Sequence, residues 1–307
     1  MTDSAPGTTL PLSHQLDFVS AINGHGYRIR VILPFAPPPP TGYPVLYLTD
    51  GDYFIGSFGE AIRIRALGAE VEGAVVVGIG YPDDFATASY RRSLDLTPSA
   101  PDAGRRNADT AAFGRPAAYG GAGDFADIIA TEVMPRVAAL TTVDPARAML
   151  WGHSLGGLFV LHTLFTRPAL FATWLAQSPT IWWDDRLLLK LEPAFARAVT
   201  AGEIAPRLMI AMGGAEQSLP PFDLPDDMRQ RVGERLAFET MVDGARDLGE
   251  RLAALSGGDG YQARFLLSGG AAHMGAPFAA LGAMIEFALP PRHLLSPASS
   301  PQQPGEP

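Results

Sequence analysis

Apolar and polar positions follow two rhythms along this chain, and the rhythms take turns. Tyr27–Leu33 (YRIRVIL) has period two and stops at the proline-rich segment Pro34–Pro40, as a half-buried strand does. Val45–Thr49 is a short apolar run that ends in Asp50-Gly51-Asp52. Ala74–Gly80 is continuously apolar and β-branched, which suits a strand buried on both faces. Asp124–Leu140 instead spaces Phe125, Ile128, Ile129 and Val133 for one face of a helix. Ala148–His153 reads as a strand, and Gly156–Thr166 as the helix that follows it. Ala172–Ala176, Arg207–Ala211 and Ala263–Leu267 read as three more strands, with helices near 227–255 and 277–288. Strands alternating with helices predict an α/β fold with a mostly parallel central sheet and helices on both faces.

The ends lack this patterning. Residues 1–12 are small and polar, and 290–307 are rich in Pro and Ser. Neither offers enough apolar surface to offset ordering entropy, so both are expected to be disordered around a single domain at 13–289. Ser99–Gly123, rich in Ala, Gly, Pro and Asp, has no clear period. So long a segment inside a domain is read as a lid or pocket loop, or as disordered.

Composition narrows the function. The 307 residues carry a formal charge of −9, 47% hydrophobic residues and no cysteine. That charge argues against nucleic acid and anionic membranes as partners, which select basic surfaces. Without cysteine there is no thiol nucleophile, disulfide or thiolate metal site. No window reaches the roughly 20 apolar residues of a membrane span, and no leader-like start is evident, so the cytoplasm is the expected compartment. There is no H-E-x-x-H and no histidine cluster, so neither metal nor other cofactor is expected.

The most specific local feature is Gly152-His153-Ser154-Leu155-Gly156-Gly157. It fits G-x-S-x-G between an expected strand and an expected helix, where a nucleophile elbow must sit. The sharp turn strains the central residue and crowds its neighbours, so glycine is needed two positions away on each side. The amide of Leu155, at the start of the helix, is then a donor for an oxyanion.

A serine nucleophile needs a base, and the chain has six histidines. His14 and His25 precede the nucleophile at the edge of the first expected strand. His153 should point away from the serine oxygen. His162 lies on the helix behind the elbow, and His293 lies in the tail. His273 follows the last expected strand, opens at the same sheet edge as the elbow, and completes the order serine, acid, histidine. Glu216 is the first carboxylate after Arg207–Ala211 and is the preferred acid, with Asp223, Asp226 and Asp227 as competitors. A second oxyanion amide is expected from the Asp50-Gly51-Asp52-Tyr53 loop, at Asp52, although Asp-Gly is also common in ordinary turns.

These residues, together with further blocks, carry a resemblance. The blocks are Asn23–Tyr27, Leu46–Asp52, Arg91–Pro98, Gly152–Phe159, Thr166–Pro168, Ser178–Asp184, Gly213–Glu216 and His273–Gly275. From about Val19 to Leu289 the chain resembles the putative-esterase (esterase D-like) family of α/β-hydrolases, most closely the bacterial siderophore esterases. The resemblance implies the α/β-hydrolase fold and a serine hydrolase with Ser154 as nucleophile, His273 as base and Glu216 as acid. Some relatives work with a Ser–His dyad. It maps the oxyanion amides to Asp52 and Leu155. It also brings Arg92 and Trp182 or Trp183 near the substrate, with Tyr53 beside them.

An arginine can fork onto carbonyl or carboxylate oxygens, and a tryptophan can stack on an aromatic acyl group. A surface ion pair for Arg92 and core packing for a tryptophan are the alternatives. The expected activity is hydrolysis of a small-molecule carboxylic ester, of siderophore-lactone or aryl type. A thioesterase or acyltransferase related to S-formylglutathione hydrolase, or a silent binding protein on the same scaffold, are the competing readings.

Overall fold

The computed structural model describes residues 10–101, 103–106, 114 and 116–291. The expectations for residues 1–9, the tail from 292 with His293, and the middle of the Ser99–Gly123 segment lie outside the described residues.

Eight strands form one sheet in the order β1-β2-β4-β3-β5-β6-β7-β8. They are β1 (Ser13–Val19), β2 (Gly26–Ile32), β3 (Tyr43–Leu48), β4 (Val75–Gly80), β5 (Val143–His153), β6 (Thr173–Gln177), β7 (Arg207–Gly213) and β8 (Gln262–Ser268). The first two strands run antiparallel, and β4 through β8 pair in parallel. The parallel strands β3 and β4 are buried at every position, because helices cover both faces. This is the mostly parallel sheet expected from the alternation, and it has the α/β-hydrolase arrangement that the resemblance implies.

Apolar residues on opposite faces build two cores. One gathers Ile29, Val77, Leu150 and Trp174 under Phe125, Phe159 and Leu248. The other gathers Leu46, Leu48, Trp151 and Met209 under Phe58, Ile62 and Met284. The covering helices are α1 (Gly51–Leu67), α2 (Phe85–Asp95), α3 (Ala122–Ile128), α4 (Met134–Ala138), α5 (Leu155–Thr166), α6 (Trp183–Thr200), α7 (Asp226–Glu239), α8 (Met241–Ala253) and α9 (Ala276–Ala288).

Several elements depart from the sequence expectation. The continuous helix expected at Asp124–Leu140 is interrupted by a π-helical turn at Ile129–Val133. Pro135 has no N–H and its ring crowds the carbonyl four residues back, and the wider turn relieves both problems. The stretch near 227–255 divides at Thr240, which has φ 42°. Strand β1 and helices α1, α2 and α6 lie outside the elements expected from the sequence. Strand β1 is a half-exposed edge paired with β2 along its length. Helix α2 is capped by Asp84, whose Oδ1 accepts from Thr87 N at 2.9 Å. Helix α1 begins inside the expected Asp-Gly loop, where Gly51 lies against strand β4. A Cβ on Gly51 would come within 2.3 Å of the Gly78 backbone. Only this close approach lets Phe54 and Phe58 reach Trp151, with ring centroids 4.7 and 4.8 Å away.

The chain goes from β3 to β4 on one side, then crosses back to place β5 on the other side of β3. The crevice at the C-terminal ends of β3 and β5 is therefore the topological switch point, where open α/β sheets bind ligands.

His162, half-buried on α5, has its imidazole pushed down from 6.5 to about 4, by burial first and then by Arg167. Between those pH values the unfolded chain binds more protons than the folded one, so stability is lost as pH falls through that window. Thermal unfolding should therefore move to lower temperature from pH 6.5 to pH 4, and His162→Leu should make the decline smaller. Equal declines in both proteins would contradict this assignment.

Candidate active site

Strand β5 runs straight into Ser154, which is held at φ 61° and ψ −114° before α5 begins. L residues enter this region only under constraint. Three backbone hydrogen bonds supply it. Ser154 N donates to Gln177 O at 3.0 Å, and Ser154 O accepts from Leu158 N at 3.0 Å and Thr180 N at 3.3 Å. A Cβ on Gly152 would lie 2.3 Å from Gly156 O, and one on Gly156 would lie 2.3 Å from Thr49 Oγ1. Both glycines of the motif are thus sterically required.

Leu155 opens α5 and Asp52 sits in the first turn of α1. Among the described residues, neither amide has a hydrogen-bond acceptor, as first-turn amides do not unless a cap or ligand supplies one. The Asp52 side chain turns away, pairing with Arg30 and accepting from Tyr81 N at 3.1 Å. Asp52 is therefore present at this site only through its backbone.

His273 and Glu216 are brought together from the loops after β8 and β7. His273 Nδ1 lies 2.5 Å from Glu216 Oε2. The carboxylate is almost wholly buried, while the imidazole is 37% exposed. The two loops are tied by Gly214 N to Ser268 O at 2.8 Å and Ala215 N to Ala271 O at 3.0 Å. A Cβ on Gly213 would meet Ala271 O at 2.3 Å, so that glycine permits the approach. The competing carboxylates Asp223, Asp226 and Asp227 are exposed, and Asp227 pairs with Arg231.

His153, expected only to point away from the serine oxygen, packs against His273, with ring centroids 4.5 Å apart. Its Nε2 lies 3.1 Å from the His273 carbonyl, which can only accept, so Nε2 carries the proton. Burial, then the neighbouring His273 and Arg92, hold its pKa well below the usual histidine value, and the ring is a neutral donor.

Arg92 reaches across from α2. It grips Asp50 through Nε to Oδ1 at 2.5 Å and through one terminal nitrogen to Oδ2 at 3.0 Å. The same nitrogen donates to His153 O at 3.0 Å. Burial works against the guanidinium charge, but Asp50 more than offsets it and the pKa is raised. The clamp joins the β3–α1 corner to the elbow.

These residues surround one cavity of about 380 Å³. Ser154, His273, Leu155, Arg92 and Tyr53 line it, as do Asp50, Phe54, Ser89, Arg105, Met274 and Phe278. Trp182 and Trp183 do not. Trp183 is fully buried and donates to Ser99 O at 3.0 Å, which makes it core. Trp182 lies behind the wall, under Arg105 at 5.7 Å. Sequence reasoning passed over Asp50, Phe54, Arg105, Met274 and Phe278. For Asp50 a signal existed in the Thr-Asp-Gly-Asp run, since a buried carboxylate needs a cation and Arg92 was already a candidate. Among the described residues, no group of three or more His, Cys, Asp or Glu could hold a metal ion. No helix among them is long and apolar enough to cross a membrane.

Comparison with known proteins adds family information. The sequence model of the family described as "Putative esterase" matches residues 20–243. The chain is 34% identical over 275 residues to the ferri-bacillibactin esterase BesA of Bacillus subtilis, covering 86% of this chain and 85% of that protein. It is 36% identical over 259 residues to the siderophore triacetylfusarinine C esterase of Aspergillus fumigatus, covering 81% and 84%. The crystal structure of the BES protein from Bacillus cereus superposes with a TM-score of 0.77 at 28% identity, over 94% of this chain and 98% of that one.

The Arg92–Asp50 clamp makes a prediction. The Asp50 side chain is only 4% exposed, so Arg92→Met leaves a buried carboxylate unpaired and should cost roughly 3–5 kcal/mol. Adding Asp50→Asn removes the charge and should recover part of that loss. Denaturant unfolding of the three proteins reads this directly. A loss below about 1 kcal/mol for Arg92→Met would show that the pair is not holding the corner.

Proposed function

Since the chain belongs to the putative-esterase family, we propose that it hydrolyses siderophore-type lactone or aryl esters through an acyl intermediate on Ser154. Ester hydrolysis with a serine nucleophile is the family's chemistry. The assignment of roles to residues and the substrate class are the proposal. The observation that carries it is the His273–Glu216 contact at 2.5 Å, with His273 and Ser154 lining the same cavity.

In the first half-reaction His273 Nε2 takes the Ser154 proton as Oγ attacks the ester carbonyl. The amides of Leu155 and Asp52 receive the developing oxyanion. Glu216 accepts from Nδ1, fixes the tautomer and stabilises the imidazolium. Collapse of the tetrahedral intermediate breaks the carbonyl–alkoxy bond, and His273 protonates the departing alcohol. Water, deprotonated by the same imidazole, then attacks the acyl-serine and releases the acid, restoring Ser154. His273 gains and returns one proton in each half.

The cavity wall supports the substrate class. Tyr53, Phe54, Met274 and Phe278 offer apolar and aromatic surface to an acyl arm, and Arg92 and Arg105 bring cationic groups that suit its oxygens. The two curated relatives are named for siderophore esters, which gives the same direction.

Ser154→Ala should lower turnover of a short p-nitrophenyl ester by at least about 10³-fold with an unchanged circular dichroism spectrum. Undiminished turnover would overturn the nucleophile. A panel of an aryl-armed trilactone, short alkyl esters and acyl thioesters tests the substrate. The trilactone should show the highest kcat/KM, by tenfold or more (about 1.4 kcal/mol of transition-state binding). Preference for thioesters would make the protein a thioesterase instead.

A further inference from the structure

Strand β6 ends at Gln177, the next residue is Ser178, and both are completely buried. Ser178 has φ 46°, the left-handed region that L residues occupy when their surroundings over-determine them. Its amide donates to Ala211 O at 2.7 Å, which fixes it against β7. Its hydroxyl is 2.6 Å from Glu216 Oε1.

The direction of that bond follows from its neighbours. Gln177 Nε2 lies 2.9 Å from Ser178 Oγ and 3.3 Å from the Ala211 carbonyl. A carbonyl only accepts, so the amide nitrogen is correctly turned, and Ser178 Oγ receives its proton. The hydroxyl's own proton is left for the carboxylate. Gly213 N donates to the same Oε1 at 2.6 Å. Oε1 is thereby held by two donors, and Oε2 is presented to His273 Nδ1 at 2.5 Å. Aiming Gln177 this way leaves its Oε1 buried without a partner among the described residues, a cost that native structures accept where a polar group has a task.

We propose that Ser178 is a positioning residue for the catalytic acid: its hydroxyl locks the rotation of the Glu216 carboxylate and so sets the orientation of His273. The proposal rests on the roles assigned above to Glu216 and His273. With Ser178 gone, Gly213 N alone restrains Oε1, and the carboxylate can rotate about its terminal bond. The imidazole then samples orientations from which it cannot take the Ser154 proton. Substrate binding does not involve this buried hydroxyl, so the effect belongs to kcat and not to KM.

A double-mutant cycle tests it, using the full chain, a p-nitrophenyl ester and Ser178→Ala, Glu216→Ala and the combined variant. Ser178→Ala should lower kcat about tenfold, the lower range for a hydrogen bond to a charged group, with KM changed less than about twofold. In the Glu216→Ala background the same substitution should change kcat less than about twofold, because the group it acts through is gone. If Ser178→Ala is not folded by circular dichroism, Ser178→Gly replaces it, since glycine adopts positive φ without strain. Unchanged kcat for the single variant, or an equal loss in both backgrounds, would overturn the positioning role. Full activity of Glu216→Ala alone would instead overturn the assignment of the acid.

Discussion

Ser154 sits at φ 61° between a buried strand and a buried helix, and the rest of the site is arranged around that constraint. A residue held there costs folding energy that surrounding packing must supply. The supply comes from three directions. Gly152 and Gly156 remove side chains that would collide with the turn and with Thr49. Gln177 and Thr180 bond to the Ser154 backbone from the neighbouring strand end. Arg92 holds the carbonyl of the preceding residue, His153, and Asp50 holds Arg92. The serine is thus fixed by the sheet edge before any substrate arrives, which is what preorganised catalysis requires.

Glu216 and His273, the proposed acid and base, depend on the same edge in a different way. Glu216 and His273 come from loops that bond directly to each other through Gly214 and Ala215. Their separation is therefore set by pairing of β7 with β8, not by loop flexibility. Glu216 accepts from Gly213 N, Ser178 Oγ and His273 Nδ1. A buried carboxylate with three donors is well satisfied, and it links β6, β7 and the loop after β8 in one network. Membership of the esterase family explains the shared framework. Tyr53, Phe54, Arg105, Met274 and Phe278 form the cavity wall around Ser154 and His273.

Much of this was legible along the chain. The alternation of strand and helix patterns gave the mostly parallel sheet, since apolar periodicity reports burial on one face or two. The elbow was legible because steric crowding demands glycine at fixed offsets from Ser154. Scarcity of histidine and strand order then left His273 as the expected base, and the structure brings it beside Glu216. The start of helix α1 was not legible, although Phe54, Phe58 and Ile62 have helical spacing. It begins at an Asp-Gly pair that reads as a turn, and contact with Gly78 on β4 explains it. The π-turn before Pro135 likewise depended on ring and carbonyl packing.

Local chemistry in the sequence therefore determined which residues are reactive candidates and in which order they stand. Beyond the expected Glu216–His273 contact, tertiary structure decided which polar groups meet. The joining of His153 to His273, of Asp50 to Arg92 and of Ser178 to Glu216 spans 120, 42 and 38 positions, beyond the reach of any periodicity. The two tryptophans show the converse. The family resemblance suggested a substrate platform, but packing put Trp183 in the core and Trp182 behind Arg105. Sequence spacing encodes backbone sterics and burial, which are local. Hydrogen bonds and ion pairs between strand ends require the assembled sheet that brings them within hydrogen-bonding distance.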